Sequence, residues 1–157
     1  MQTPAIVQLR PMLPAEFAAW RERFVRDWGE DLARVEDLSH EDALREAARR
    51  TDADLTSGAA TPGHHLRVIV GAEGELGTLW YSLSDDGAFL DDLSVNPKHR
   101  GRGIGDAALA KVEDEVRACG RPHLDLHVYA DNHAAIALYQ RRGFRTTGLK
   151  MRKTLPA

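Results

Sequence analysis

The stretch Leu90-Asp91-Asp92-Leu93-Ser94-Val95-Asn96-Pro97-Lys98-His99-Arg100-Gly101-Arg102-Gly103-Ile104-Gly105 has the residue types and spacing best suited to chemistry. A strand-like run enters a loop in which glycine alternates at 101, 103 and 105, and a helical pattern begins there. Backbone amides exposed in such a loop, together with the positive end of a helix, make a site for an anion. Glycine suits the role because a Cβ would hold a phosphate away from the amides. Arg100 and Arg102 add guanidinium groups, which match phosphate oxygens in geometry and charge. The bland alternative is a glycine-rich turn that only caps a helix. Two nucleotide motifs fail on residues. A P-loop requires Gly-x-x-x-x-Gly-Lys-Ser/Thr, and no Gly-Lys pair occurs in the chain. The dinucleotide fingerprint Gly-x-Gly-x-x-Gly fails because Asp106 stands three residues after Gly103.

Other reactive groups are fewer. Asp91 and Asp92 lie on the strand that enters the loop, and alternation along a strand predicts that one of them faces the cleft. The single cysteine, Cys119, continues the apolar stripe Ile104, Ala108, Val112, Val116, which reads as a core thiol rather than a nucleophile. His64 and His65 are adjacent, and His123 and His127 bracket a strand without a thiolate or a suitable His/carboxylate spacing, so no metal site is expected.

The elements that must position these groups follow from periodicity. A short strand is expected at Ala5–Leu9, stopped by Pro11 and Pro14. Phe17, Trp20, Phe24 and Trp28 recur at helical spacing. A second helix is expected after Ser39, which can cap it with Asp42 three residues on. Thr56–Gly63 reads as a loop. Leu66–Val70, Leu76–Leu83 and Ala88–Val95 read as an antiparallel meander separated by turn signals. A helix over Gly103–Ala118, a buried strand Leu124–Val128, a helix Asn132–Arg142 and closing strands Phe144–Thr147 and Lys150–Leu155 complete the series. Hairpins with one β-α-β crossover make this an α+β, or mixed α/β, fold.

A second motif gives the loop its context. Arg100-x-x-Gly103-x-Gly105 resembles the Gln/Arg-x-x-Gly-x-Gly/Ala motif of the GCN5-related N-acetyltransferases (GNAT family). Asn132-His133-Ala134-Ala135-Ile136-Ala137-Leu138-Tyr139-Gln140-Arg141-Arg142-Gly143-Phe144 resembles that family's Asn-x-x-Ala-x-x-x-Tyr-x-x-x-Gly-Phe, one helix and one strand later. The resemblance implies a single N-acetyltransferase domain over 1–157, with residues 66–155 as the acetyl-CoA-binding core and residues 1–60 as a variable acceptor-side region. It implies a central, mostly antiparallel, twisted sheet, splayed between the fourth and fifth strands and flanked by helices. The backbone of Leu93, Ser94 and Val95 would then hold the pantetheine arm. The amides of Arg100, Gly101, Arg102, Gly103, Ile104 and Gly105 would hold the pyrophosphate. Asn132 would bond the pantetheine side, Ala135 would leave room for it, and Tyr139 would reach the sulfur.

The implied chemistry is transfer of an acetyl group from acetyl-CoA to a primary amine by direct attack in a ternary complex. The Leu93 N–H would face the acetyl oxygen, and Tyr139 would protonate the departing thiolate. Asp91, or failing it Asp92, would take the proton of the amine, directly or through a water; Asp91 is preferred because some amine acetyltransferases of the family have an acid there. Acetyl-CoA is the implied co-substrate, with no metal. A non-catalytic coenzyme A-binding sensor or regulatory module on the same fold is the competing function.

Composition bounds the rest. The 157 residues suit one domain, and 43% hydrophobic with 29% charged residues is an ordinary globular balance. One cysteine excludes an intrachain disulfide and fits a reducing cytoplasm. Met1-Gln2-Thr3-Pro4 has no secretory signal character, and no run is long and apolar enough to span a membrane. A net charge of -3 gives no support for nucleic-acid binding, and no aromatic residue lies between Phe89 and Tyr129 to stack on bases around Arg100-Gly101-Arg102-Gly103. Residues 1–60 hold 12 acidic against 8 basic residues. Asp85, Asp86, Asp91 and Asp92 favour a cationic acceptor, a small amine or a protein lysine. Whether a second copy of the chain is a partner is left open.

Overall fold

A computed structural model describes residues 5–157; the segment Met1–Pro4, read above for signal character, lies outside the described residues. The chain divides into two compact units, the first through Leu126 and the second from His127 to Ala157.

The first unit is built on a five-stranded sheet in the order β1-β2-β3-β4-β5. Its strands are β1 (Gln8–Pro11), β2 (His64–Gly71), β3 (Gly74–Leu83), β4 (Ala88–Val95) and β5 (Leu124–Leu126). The meander expected from the turn signals is present: β1 to β4 pair antiparallel in sequence order. β5 joins β4 in parallel, through the helix between them. β1 runs later than expected and includes Pro11, which an edge strand tolerates because its missing N–H breaks no interior ladder bond.

Three helices flank this sheet: α1 (Pro14–Glu36), α2 (His40–Asp54) and α3 (Ile104–Ala118). Pro14 starts α1 where a missing N–H costs nothing. Ser39 caps α2 as expected, its side chain accepting from the Asp42 N–H at 3.1 Å. One face of the sheet packs on α1 through a cluster of Met12, Trp20, Leu55, Leu66, Val68 and Trp80. The opposite face receives α3, which buries Ile104, Ala108, Leu109, Val112 and Val116. The Tyr81 hydroxyl on that face donates to Glu115 of α3.

Cys119 does not continue the α3 stripe into the core. It is the C-cap residue and is exposed, because the helix ends at Ala118 and the stripe with it. β5 is shorter than expected, three residues that are half-buried or exposed. The second unit contains α4 (His133–Arg141). Among the described residues no strand is assigned after Leu126, so Phe144–Thr147 and Lys150–Leu155 are not the strands expected. No helix among the described residues is long and apolar enough to cross a membrane.

Candidate active site

β4 runs out of register with β3 by one residue at its middle. Tyr81 faces Leu90, but the preceding residue, Trp80, faces Asp92, so Asp91 is an extra residue on β4. This is a β-bulge, which breaks alternation and re-aims side chains. Both carboxylates therefore turn toward α1 and α2, and the expectation that only one of them faces the cleft is corrected. The Asp91 carboxyl lies beside Ser82 and within electrostatic reach of Asp54 at the end of α2. Asp92 feels Arg23 and Asp27 of α1, two residues one helical turn apart. Arg23 is itself fixed, its Nη2 donating to Thr78 Oγ1 at 2.8 Å.

Burial dominates the electrostatics of the pair. It pushes the Asp91 carboxyl up to about 7, with Ser82 opposing and the Asp54 charge adding. It pushes Asp92 up to about 7 as well, against the attraction of Arg23 and the Leu93 N–H and with the repulsion of Asp27 and Asp91. Asp91 Oδ2 is buried without a hydrogen-bond partner. An oxygen in that state has a lone pair to offer, at a pKa matched to neutral pH.

Beyond the bulge, β4 loses its neighbour. β5 pairs with Ala88, Phe89 and Leu90, so among the described residues no strand pairs with the outer edge of β4 from Asp91 to Val95. The direction of the exposed groups follows from the ladder. The Asn96 N–H donates to Leu76 O at 2.8 Å, which makes Asn96 and Leu76 a hydrogen-bonded pair. Antiparallel pairs alternate, so the main-chain groups of Val95 and Leu93 point away from β3, into the open edge. One contact agrees with this: Arg100 Nε donates to Val95 O at 3.0 Å. Ser94 stands between Leu93 and Val95, opposite Thr78.

The strand then enters the glycine loop through a short 3-10 turn, Pro97–His99. Gly101 and Gly103 have φ of +72° and +76°, and a Cβ at either would meet nothing within 4 Å. The loop therefore needs glycine for its backbone and presents open space beside its amides, which fits a phosphate-bearing ligand. Gly103 is the N-cap of α3 and supplies no side chain to the first helical N–H groups. Ile104 can contribute only its main chain, because its side chain is buried in the core. Gly105 lies in the first turn of α3. Both arginines are held: Arg100 by Val95 O, and Arg102 by Glu73, Nη1 to Oε2 at 2.8 Å.

In the second unit, Asn132 caps α4, its Oδ1 accepting from the Ala135 N–H at 3.2 Å. The Tyr139 ring packs edge-on against Phe144, with centroids 5.6 Å apart. The expected site residues thus gather in two sets: Asp91 to Val95 with the loop through Gly105, and Asn132, Ala135 and Tyr139 on one short helix. Sequence reasoning missed Arg23, Asp27, Asp54 and Ser82. The Arg23–Asp27 spacing would have placed those two on one helix face. Nothing in the sequence marks Asp54 or Ser82. Asp85 and Asp86 stand on the β3–β4 turn, at the other end of β4 from the loop, with Asp86 accepting from Ser84 at 2.9 Å. Among the described residues no group of three or more His, Cys, Asp or Glu could hold a metal ion.

The chain matches the model of the Acetyltransferase (GNAT) family over residues 17–144. It is 30% identical to the uncharacterized N-acetyltransferase YycN of Bacillus subtilis, covering 95% of this chain and 99% of that one. It is 27% identical to the uncharacterized N-acetyltransferase YdgE of the same organism, covering 94% and 97%. The crystal structure of YycN superposes with a TM-score of 0.91, covering 97% of this chain and all of that one at 29% identity. A PaiA N-acetyltransferase from Thermoplasma acidophilum, solved in complex with coenzyme A, shares the fold with a TM-score of 0.69 at 16% identity, covering 92% of this chain and 93% of that one. With a family match across most of its length and a full-length relative at 30% identity, this chain belongs to the GNAT family of acetyltransferases.

Proposed function

We propose that this protein is an N-acetyltransferase that moves the acetyl group of acetyl-CoA to a primary amine by direct attack in a ternary complex. The observation that carries this reading is the bulge on β4. It sets two carboxyls with pKa values raised to about 7 beside a strand edge that is open for a ligand. The whole chain, 1–157, acts as one N-acetyltransferase domain in the cytoplasm, with residues 66–155 holding the co-substrate and residues 1–60 facing the acceptor.

Acetyl-CoA supplies an activated thioester when bound. The amides from Arg100 to Gly105 hold its pyrophosphate, and the outward groups of Leu93 and Val95 hydrogen-bond its arm. The Leu93 N–H donates to the acetyl oxygen as negative charge builds there. Asn132 retains Nδ2 as a donor while its Oδ1 caps α4. Asp91 accepts the proton of the incoming ammonium through its unpartnered oxygen, leaving a neutral amine to attack. Tyr139 gives its phenolic proton to the thiolate as it departs. The acceptor is cationic: the Asp54 charge acts on Asp91, and Asp27 and Asp91 act on Asp92, where Arg23 is the opposing guanidinium.

The test is release of free thiol from acetyl-CoA in the presence of a panel of diamines, polyamines, amino-acid amides and lysine peptides. Amine-dependent release, with the acetyl group recovered on nitrogen, is the expected result. Tight acetyl-CoA binding with no release for any amine would overturn it in favour of a coenzyme A-binding module.

A further inference from the structure

The hairpin turn between β2 and β3 reaches the phosphate loop through a single carboxylate. Glu73 Oε2 accepts from Arg102 Nη1 at 2.8 Å. It also lies 3.3 Å from Nδ1 of His99, a residue only 7% exposed. The same Arg102 nitrogen stands 3.1 Å from that His99 Nδ1. One nitrogen of the guanidinium thus makes both contacts. Arg102 and Glu73 are about half exposed, at 50% and 54%. The guanidinium holds the Glu73 carboxyl below its usual range. A pair this accessible is weak, shifting an equilibrium by at most about fivefold. A phosphate offers the same guanidinium a stronger, two-pronged partner.

The loop does not depend on this pair for its anchorage. The Asn96 N–H bonds Leu76 O at 2.8 Å, and Asn96 Nδ2 bonds Glu75 O at 3.2 Å, fixing the loop to the start of β3. His99 is buried behind it. Glu73 therefore adds little to loop position, yet it places a negative charge next to a site shaped for an anion. We propose that Glu73 is a counter-ligand for Arg102, occupying the guanidinium in the free protein and surrendering it when the phosphates of the co-substrate arrive. The effect is to set the affinity of the loop below what its arginines alone would give. In this role Glu73 is a positioning residue that acts through Arg102, and the inference rests on the reading that the loop holds the acetyl-CoA pyrophosphate.

Calorimetric titration of the full chain with acetyl-CoA tests it, with wild type, Glu73→Gln, Glu73→Asp, Arg102→Ala and the double variant Glu73→Gln/Arg102→Ala. Glu73→Gln is expected to lower Kd by roughly two- to fivefold. Glu73→Asp, which keeps the charge, is expected to stay closer to wild type. In the Arg102→Ala background the gain from Glu73→Gln is expected to shrink, because the partner being released is gone. The affinity of Glu73→Gln should also fall more steeply with added salt than that of wild type, since one more cation is available to the phosphates. Wild-type binding with unchanged or weaker binding by Glu73→Gln would overturn the counter-ligand role and leave the site assignment standing. An equal gain with and without Arg102 would also overturn it, showing plain charge repulsion instead. Absence of acetyl-CoA binding by the folded wild type would overturn the site assignment and this role together.

Discussion

Asp91 and Asp92 are consecutive residues of β4, yet both turn their carboxyls toward the helices α1 and α2. A regular strand would send them to opposite faces. The bulge brings two carboxyls together under burial, and the Asp91 charge raises the cost of ionising Asp92.

The first consequence is a pH profile. If Asp91 is the base, it works only when ionised, so kcat/KM rises with pH through a limb near 7. Asp91→Asn should remove that limb and lower turnover about 10²–10⁴-fold. Asp54→Asn, which takes away a repelling charge, should move the limb to lower pH while most of the rate survives. An unchanged limb in Asp91→Asn would show that another group takes the proton.

The same groups cost stability. Their folded pKa values lie above the ordinary carboxylate value of 3.8 and reach about 7. Between those limits the folded state holds more protons than the unfolded chain, so stability falls as pH rises from about 4 to 7 and is level beyond. Asp91→Asn removes the charge. It should stabilise the fold at pH 8 by roughly 1–3 kcal/mol, and the gain should vanish near pH 4. Thermal unfolding at both pH values measures it. A Tm that drops equally at both would mean Asp91 is a structural residue.

How much of this was visible in the sequence depends on whether the signal was local. The glycine loop was legible because Gly101 and Gly103 sit at positive φ, a demand that shows in residue type. The Ser39 cap and the 104-108-112-116 stripe were legible for the same reason: one turn of helix fixes them. The bulge was not. It is a relation between β4 and β3, and Asp91 and Asp92 look the same in sequence with or without the extra residue. Asp54 and Ser82 reach Asp91 only through tertiary packing, and the carboxylates beside them in sequence, Asp85 and Asp86, fall on a distant turn. Cys119 was misread because the periodicity continues for one more step than the helix does.

Gly103→Asp tests the loop directly. It adds a Cβ where φ is +76° and a negative charge at the helix start. Acetyl-CoA binding should fall about tenfold or more. Circular dichroism and Tm must show the variant folded, and Gly103→Ala, which lacks the charge, should fall in between. A folded Gly103→Asp with wild-type affinity would place the phosphates elsewhere.

Tyr139→Phe separates binding from chemistry in the second unit. Tyr139 lies on α4 with its ring against Phe144, and phenylalanine preserves that contact. The hydroxyl is asked to act only as negative charge builds on sulfur, so its effect belongs to the transition state and not to the ground state. Turnover should therefore fall about 10²–10⁴-fold, while Kd for acetyl-CoA changes little. A proton donor must also be protonated to work, so wild type should lose rate at high pH and the variant should lack that falling limb. Replacing the amine with one that attacks more readily makes thiolate departure the slower step, and the deficit of the variant should then grow. Turnover equal to wild type, with chemistry shown to limit the rate, would sink the role: water or another group would have to protonate the thiolate.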